Sequence, residues 1–332
     1  MKNNARGILE IGGNSFNIRC DWRQTLQQMK EPFCNEDQHR LRTLWRFLLL
    51  IVLWFIAIAL IVKPLFEDSV FFNDISKFAF IPVVWLAACF LDRRPFSDFG
   101  FHLGWGWFLD LGFGLLLGAL LVAVIFLIEC QAGWIKITGY FVPNSTSMRQ
   151  FIADFIVAIL IFVGVGLSEE LVFRGYCLKN IAEDDTARRR SQKFSVLFAC
   201  VLSSTLFGLS HLVNKGVTPL AVINTILAGL MFGLSLILTG EIAIPIGLHI
   251  TFDLFESHIF GFPIGGATNT PSIIGLTQSG PELWTGGIYG PVAGLITWPV
   301  ILLGTVLILL WIKWRTGGLM IQSRLASPPP FT

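Results

Sequence analysis

The stretch "FIVAILIFVGVGLSEELVFRGY", residues 155–176, joins a long apolar run to two adjacent glutamates and an arginine. Its apolar part is long enough to cross most of a bilayer, and similar runs recur along the chain. Of the 332 residues, 54% are hydrophobic and 14% are charged, whereas a soluble domain carries roughly a quarter charged residues. We therefore predict an all-α polytopic integral membrane protein, with the lipid bilayer as its surroundings.

Hydropathy predicts eight membrane spans. They lie near residues 47–63, 77–91, 107–128, 152–170, 195–212, 219–238, 242–258 and 291–313. Several are short for a hydrocarbon layer of ~30 Å, which takes about 20 helical residues, and Pro82 interrupts the second. The chain divides accordingly into four parts. They are an N-terminal cytoplasmic segment (1–46), the N-terminal helices (47–150), a core (151–260), and a last part with an extracytoplasmic loop, the last helix and a cytoplasmic tail (261–332).

The basic residues of the connections indicate the orientation. Segment 1–46 carries eight Lys and Arg and segment 171–194 carries six, whereas segments 64–76 and 259–290 carry none. Because cytoplasmic connections are rich in Lys and Arg, this pattern predicts that both termini are cytoplasmic. The net charge of +2 and the absence of a basic-aromatic surface pattern argue against nucleic acid as a partner.

The charged residues of "EELVFR" (169–174) fall into two groups on a helix. Glu170 and Arg174 are four residues apart, so they share a face and are expected to form an ion pair. Glu169 lies about 140° from Arg174 around the helix axis and does not easily join that pair. We predict that Glu170 and Arg174 have a supporting role and that Glu169 is the carboxylate that can act as a base.

Two further segments carry polar residues at membrane depth. In "HITFD" (249–253), His249 and Asp253 share one helix face, where they can bind one metal ion or one water. Glu256 lies close to the same helix face. Its role is left open: it is a further ligand, a supporting residue or a residue at the outer interface of the membrane. In "FGLSH" (207–211), Phe207 and His211 share a face of the fifth span.

Two histidines, one aspartate and one glutamate suit a hydrolytic site. Catalytic zinc sites use three protein ligands and an open water position, with a carboxylate nearby as base. The hydroxide attacks a peptide carbonyl, and the glutamate passes the proton to the leaving amine. We therefore expect a divalent metal, with zinc as the first choice.

Two readings from other classes stay open. A histidine in a membrane helix often makes a structural hydrogen bond between helices, so the polar cluster is also compatible with a non-catalytic scaffold or partner-binding protein. In a scaffold, Glu169→Gln would be nearly neutral. A transporter or channel with a proton site is disfavoured because the sequence shows no internal repeat.

The three motifs, in the order "EELVFR", "FGLSH" and "HITFD", resemble the CPBP family of intramembrane proteases. This family, also called the Abi or CAAX-protease family, includes the type II CAAX prenyl endopeptidases, and its pattern is EExxxR, FxxxH and HxxxN or HxxxD. The resemblance covers about residues 150–260, roughly a third of the chain. It implies that the protein is an intramembrane endopeptidase, an integral protein of the prokaryotic cell membrane that cuts a membrane-associated protein or peptide.

The resemblance also implies the roles of single residues. Glu169 would activate water, and His211, His249 and Asp253 would bind metal or stabilise the oxyanion, with the "EELVFR" pair and the "FGLSH" phenylalanine in support. The best-studied members carry Asn at the position of Asp253. The added negative charge favours a bound cation over an oxyanion, although both metal-dependent and glutamate-based mechanisms have been argued for the family. The substrate is not readable, and CAAX processing would require a prenylated partner.

The predicted spans leave a conflict of depth. With both termini cytoplasmic, Glu169 ends the fourth span near the cytoplasmic face, whereas His211 ends the fifth span near the opposite face. Either the fourth helix continues through residues 171–181, or the fifth helix is bent or displaced. We favour the first, because only Gly175 in that segment opposes a helix.

Overall fold

Eight long helices dominate the computed structural model, which describes residues 7–11, 14–18, 33–35, 40–67, 72–142, 147–184, 191–267 and 271–328. They are α1 Thr43–Phe66, α2 Ile75–Asp92, α3 Trp105–Gln131, α4 Met148–Ala182, α5 Gln192–Val213, α6 Pro219–Thr239, α7 Ala243–Leu254 with its π-helical continuation Phe255–Ile259, and α8 Thr297–Thr316. Seven of these, all but α7, are long and apolar enough to cross a membrane. The prediction of an all-α polytopic membrane protein is confirmed.

Helix α7 is the shortest of the eight. Its segment is helical, as expected, and its 12 α-helical and five π-helical residues lie at the short end of the range of about 17–25 residues for a spanning helix. Residues 242–250 are all buried, so this part of the helix packs against protein. Hydropathy does not show this, because it reports how apolar a segment is and not whether lipid or protein surrounds it.

Small residues bring α3 against α7. A Cβ added to Gly114 would lie 2.3 Å from the carbonyl oxygen of Ile244, and one added to Gly118 would lie 2.3 Å from that of Leu248. Any side chain at either position would therefore push the helices apart. The close approach fixes α7 in the interior. The contact of Gly118 is with Leu248, the residue directly before His249.

Helix α2 crosses despite its proline. The span α2 is the apolar part of a helix that begins at Phe72. The α-helical parts of this helix are Phe72–Phe78 and Phe80–Ala87, separated by a turn at Ala79, and five π-helical residues follow them. The break places Pro82 in the first turn of the second part, where a missing N–H removes no helical hydrogen bond.

Helix α4 continues beyond the predicted fourth span. Residues Met148–Glu170 are α-helical, Leu171–Leu178 form a π-helical stretch, and Lys179–Ala182 are α-helical again. The expectation that the helix runs through residues 171–181 is thus correct, and Glu169 lies well inside it.

A cluster of buried charges anchors the last turn of α4. Glu183 accepts hydrogen bonds from Arg94 Nη1 and from Arg40 Nη2, each at 2.8 Å. Arg46 binds the carboxylate of Asp92 at the end of α2. Removing one partner of such a buried pair costs about 3–5 kcal/mol because an uncompensated charge stays behind. The cluster therefore fixes α4 against α2 and the start of α1.

The strands form three antiparallel pairs within the described residues. They are β1 Gly7–Ile11 with β2 Asn14–Ile18, β3 Cys34–Asn35 with β4 Arg40–Leu41, and β5 Ile135–Val142 with β6 Ser272–Gln278. The last pair includes a strand, β6, in the part of the chain for which the sequence predicts an extracytoplasmic loop. Its two strands are too distant in sequence for either one to indicate its partner.

The remaining elements are short. They are the turns of helix Phe96–Phe99, Glu282–Thr285, Gly287–Tyr289, Pro291–Ala293 and Ser323–Ala326. The last span accordingly begins at Thr297 and not at residue 291 as predicted. Of the predicted segments, residues 1–6, 12–13, 19–32, 36–39, 68–71, 143–146, 185–190, 268–270 and 329–332 lie outside the described residues.

Candidate active site

A cavity of about 860 Å³ brings the three sequence motifs together. Its wall includes Glu169 from α4, Phe207 and His211 from α5, and His249 and Asp253 from α7. Residues 264, 265, 267 and 271 of the segment before β6 also line it. The predicted connector between the last two helices thus contributes to the cavity wall.

Glycines in α4 allow the helices on either side to approach. A Cβ on Gly166 would lie 2.7 Å from Cγ1 of Ile250 in α7, and a Cβ on Gly164 would lie 2.3 Å from the ring of Phe78 in α2. Because both neighbours pack directly on the α4 backbone, the glutamate pair one turn later faces residues of both α2 and α7.

Glu170 lies behind the cavity wall and binds two side chains at once. Its Oε1 accepts a hydrogen bond from Arg174 Nη1 at 3.0 Å, and both side chains are fully buried. The same oxygen lies 2.9 Å from His249 Nδ1. A carboxylate only accepts hydrogen bonds, so Nδ1 carries the proton and donates it. The predicted ion pair with Arg174 is present, and Glu170 in addition orients the histidine, which spacing along the sequence did not indicate.

Aromatic rings enclose the guanidinium of Arg174. Its Cζ lies 4.2 Å from the ring centre of Phe207 and 5.1 Å from that of Phe232. Both rings also contact the imidazole of His249, at centroid distances of 6.1 and 5.7 Å. Phe207 thereby links the arginine to the histidine, a supporting position consistent with its place in the motif. Phe232 has no sequence signal, because it lies in a uniformly apolar part of α6.

Glu169 projects into the cavity on the other side of the helix. Its Oε1 lies 2.8 Å from Nζ of Lys77, and its Oε2 lies 3.9 Å from Nε2 of His249. The division between a buried supporting glutamate and a cavity glutamate agrees with the helical-wheel argument. Glu169 nevertheless has a partner outside its own helix, because Lys77 comes from α2. A single lysine ahead of an apolar run reads in sequence as an interface residue, so the pair was not predicted.

The two histidines present their Nε2 atoms to the site in similar ways. His249 Nε2 lies 3.5 Å from Asp253 Oδ2, one helical turn away, while its Nδ1 is held by Glu170. His211, at the end of α5, lies with Nδ1 2.9 Å from the backbone oxygen of Phe207. Since a carbonyl oxygen accepts, this nitrogen also donates, which leaves Nε2 as the reactive position of the ring.

The donor types fit a zinc site. Imidazole and carboxylate groups are common zinc ligands, and a carboxylate behind the other ring nitrogen, as Glu170 lies behind His249, is the usual support of a zinc-bound histidine. Among the residues that the structure describes, however, no three His, Cys, Asp or Glu side chains converge on one point as a ready metal cage. The expectation of a divalent metal stays a prediction.

Glu256 also lines the cavity. Its side chain is buried, with 1% of the residue exposed. This excludes a place at the outer membrane interface, one of the three alternatives that the sequence left open for Glu256.

These features define the class of the protein: a helical integral membrane protein with a mostly apolar cavity whose ionisable groups come from several different helices. The family model described as type II CAAX prenyl endopeptidase Rce1-like matches residues 151–255. The matched segment contains all three motifs, from Glu169 to Asp253, and confirms the family resemblance over this part of the chain.

One curated protein shows a related sequence. The chain is 29% identical over 215 residues to YyaK of Bacillus subtilis (strain 168), described as an uncharacterized protein; the alignment covers 61% of this chain and 65% of the relative. The chain therefore spans about 65% of the length of the curated relative that it matches. No solved structure matches the chain significantly.

Proposed function

We propose that the protein is an intramembrane endopeptidase that hydrolyses a peptide bond in a membrane-associated protein or peptide. One observation carries the proposal. The Glu169 carboxylate and the His249 imidazole face each other on the wall of the cavity, with Oε2 and Nε2 3.9 Å apart. Both residues lie in the segment that matches the protease family. A carboxylate and an imidazole on a cavity wall are the groups that peptide hydrolysis needs.

Glu169 serves as the general base in this mechanism. It accepts a proton from a water in the cavity as the water oxygen attacks the peptide carbonyl, and it then passes the proton to the leaving amine. Lys77 holds Oε1 and so leaves Oε2 for the water. The peptide lies in a cavity walled mostly by apolar residues, where a fixed charge acts more strongly than in water.

The histidines stabilise the charge that develops on the carbonyl oxygen. In their doubly protonated forms, His211 and His249 donate Nε2–H to the oxyanion, and their orientation is fixed by the backbone of Phe207 and by Glu170. Asp253 beside His249 balances the charge of that ring. If a divalent metal is bound, His249, Asp253 and His211 would hold it, and it would polarise the carbonyl and activate the water.

Orientation and membrane complete the proposal. Both termini lie in the cytoplasm of a prokaryotic cell, as the basic connections predict. The cavity then lies within the bilayer, where it receives substrate from the lipid phase or from the membrane surface.

Purified protein in liposomes tests the proposal. A quenched-fluorescent peptide library is incubated with wild type, with Glu169→Gln and with Glu67→Gln, an exposed glutamate at the end of α1. We expect Glu169→Gln to lower the cleavage rate by about 10²–10⁴-fold, the usual contribution of a general base, and Glu67→Gln to leave it unchanged. Cleavage that survives Glu169→Gln would refute the assigned role.

Bound metal is measured in parallel by mass spectrometry for wild type, His249→Ala and Asp253→Ala. Stoichiometric metal that both variants lose supports the metal-dependent form. Cleavage by a metal-free preparation supports the glutamate-based form.

One observation favours the scaffold alternative. The Lys77–Glu169 ion pair occupies the carboxylate in the way a structural network would. A scaffold predicts no cleavage by wild type and, as the sequence analysis expects, a nearly neutral effect of Glu169→Gln on unfolding. The peptidase predicts cleavage by wild type that is lost in Glu169→Gln.

A further inference from the structure

Glu256 is a buried carboxylate inside the cavity that the mechanism above does not use. It lies three residues beyond Asp253, in the π-helical end of α7, and 1% of it is exposed. The backbone amide of Val292 approaches the carboxylate. Even so, neither oxygen accepts a hydrogen bond of normal geometry from any residue that the structure describes.

The other carboxylates of the cavity wall have partners. Glu169 pairs with Lys77, Asp253 lies beside His249, and Asp154 accepts a hydrogen bond from Gln150 Nε2 at 2.7 Å. Within the described wall, Lys77 is the single lysine or arginine against these three acids and Glu256. With His211 and His249 doubly protonated, as in the mechanism above, Lys77 and these two histidines supply three positive charges to the four carboxylates of the described wall. One negative charge is left in excess, and Glu256 is the most buried of the four acids.

A buried carboxylate without a counter-ion is unfavourable by several kcal/mol, and it is compensated by taking up a proton or by binding a cation. Glu256 lines a cavity large enough for a segment of peptide. A cationic group of a bound substrate would supply the compensating charge there.

We infer that Glu256 binds a cationic group of the substrate, either a lysine or arginine side chain or a free terminal ammonium, and so selects basic peptides. The inference deepens the proposed function and rests on it. A substrate that presents a terminal carboxylate at this end of the cavity would be repelled, so the charge of the site disfavours ligands recognised through a carboxylate.

The position of Glu256 along α7 sets the distance of that group from the reacting bond. It lies seven residues beyond His249, about 10 Å at 1.5 Å per residue. An extended peptide covers about 3.3 Å per residue, so the cationic group lies within about three residues of the scissile bond.

Paired peptides test the inference without relying on catalysis. In one set, each peptide carries a single lysine, placed from one to four residues on either side of the bond that wild type cuts. If wild type cuts none, the positions are counted from the centre of the peptide. Its matched set carries norleucine, which keeps the length and apolar character of the chain but lacks the charge. A third pair compares free and acetylated amino termini, which separates a side-chain cation from a terminal one. Binding is measured on Glu169→Gln, and cleavage on wild type.

At one position or at the free terminus, we expect the cationic peptide to bind at least about tenfold more tightly than its neutral partner. Adding Glu256→Gln removes this ratio and leaves binding of the neutral peptide unchanged, which also shows that the double variant is folded. The matched control is Glu129→Gln, a buried carboxylate bound to Gln278 outside the cavity wall. It keeps the preference within about threefold.

Equal binding of cationic and neutral peptides overturns the inference, whatever wild type cleaves. A preference that survives Glu256→Gln overturns the assignment to this residue. If the Glu256→Gln variant does not fold, Glu256→Asp is used in its place. An unchanged ratio of the affinities for cationic and neutral peptides in Glu256→Asp would then contradict the assignment to Glu256. Absence of any Glu169-dependent cleavage overturns the proposed function separately, because the binding ratio is measured on a variant that needs no turnover.

Discussion

Replacing Glu170 by leucine should destabilise the protein by several kcal/mol. The side chains of Glu170 and Arg174 are both fully buried and are joined by a 3.0 Å contact. Glu170→Leu would leave the guanidinium buried without its counter-ion, and the loss of one partner from such a pair costs about 3–5 kcal/mol. The rings of Phe207 and Phe232 stay over the cation but do not supply a negative charge.

Unfolding in mixed detergent and SDS micelles, followed by tryptophan fluorescence, measures this free energy. The matched control is Glu67→Leu. Its partner Lys63 is also four residues away, but the two side chains are 57% and 61% exposed, so we expect a loss below about 1 kcal/mol. Equal losses in the two variants would refute the reasoning from burial.

A double variant separates stability from activity. In Glu170→Leu/Arg174→Met both charges are removed, and replacing a buried pair by apolar side chains is often neutral. We expect most of the stability to return. Peptide cleavage stays low, because His249 Nδ1 has lost the acceptor that lies 2.9 Å away. Recovered cleavage in the double variant would show that Glu170 does not orient the histidine.

Two further variants test contacts of α4, one at Glu169 inside the helix and one at Glu183 directly after its last turn. Lys77→Met should lower kcat/KM about tenfold, because Glu169 Oε1 is no longer held. The free energy of unfolding should change by less than about 1 kcal/mol, since the lysine is 42% exposed. Lys77→Arg should keep most of the activity, and equal rates for the two variants would contradict the role of Lys77 in holding Glu169. For Glu183, burial raises the pKa, but the charges of Arg94 and Lys179 lower it below its ordinary value of 4.5. Its contribution to stability is therefore present above about pH 4.5 and is lost as the pH falls through the folded pKa. The unfolding temperature of wild type should drop below about pH 4.5, whereas that of Glu183→Gln, already lower at pH 7, should drop less. Parallel curves of unfolding temperature against pH for the two proteins would contradict this.

Hydropathy predicted the helices of this fold well where each segment meets lipid. The first span was placed at 47–63 and lies at Thr43–Phe66, and the fourth was correctly expected to run beyond its apolar part. The burial of the seventh helix over residues 242–250 could not be predicted, because a helix surrounded by protein and one surrounded by lipid are equally apolar. The β5–β6 pair was missed because strand pairing depends on a partner far away in the chain.

The candidate site divides in the same way. The ion pair of Glu170 with Arg174 was predictable, since both residues lie on one helix and spacing alone places them together. The pairing of Glu169 with Lys77 was not, since it depends on how α2 packs against α4. The positions of the motif residues were correctly expected to meet, whereas their roles stay predictions.

The sequence by itself determined the solvent of this protein, the approximate ends of its helices and the helix face on which each charged residue lies, because composition and a 3.6-residue period are local properties. Only the tertiary structure decided that one oxygen of Glu170 serves both Arg174 and His249, and that Glu256 faces the cavity and not the membrane surface. The physical reason is that these contacts depend on which helix faces meet. Glycines and side chains in segments far apart in the chain set that packing, and hydropathy carries no record of it.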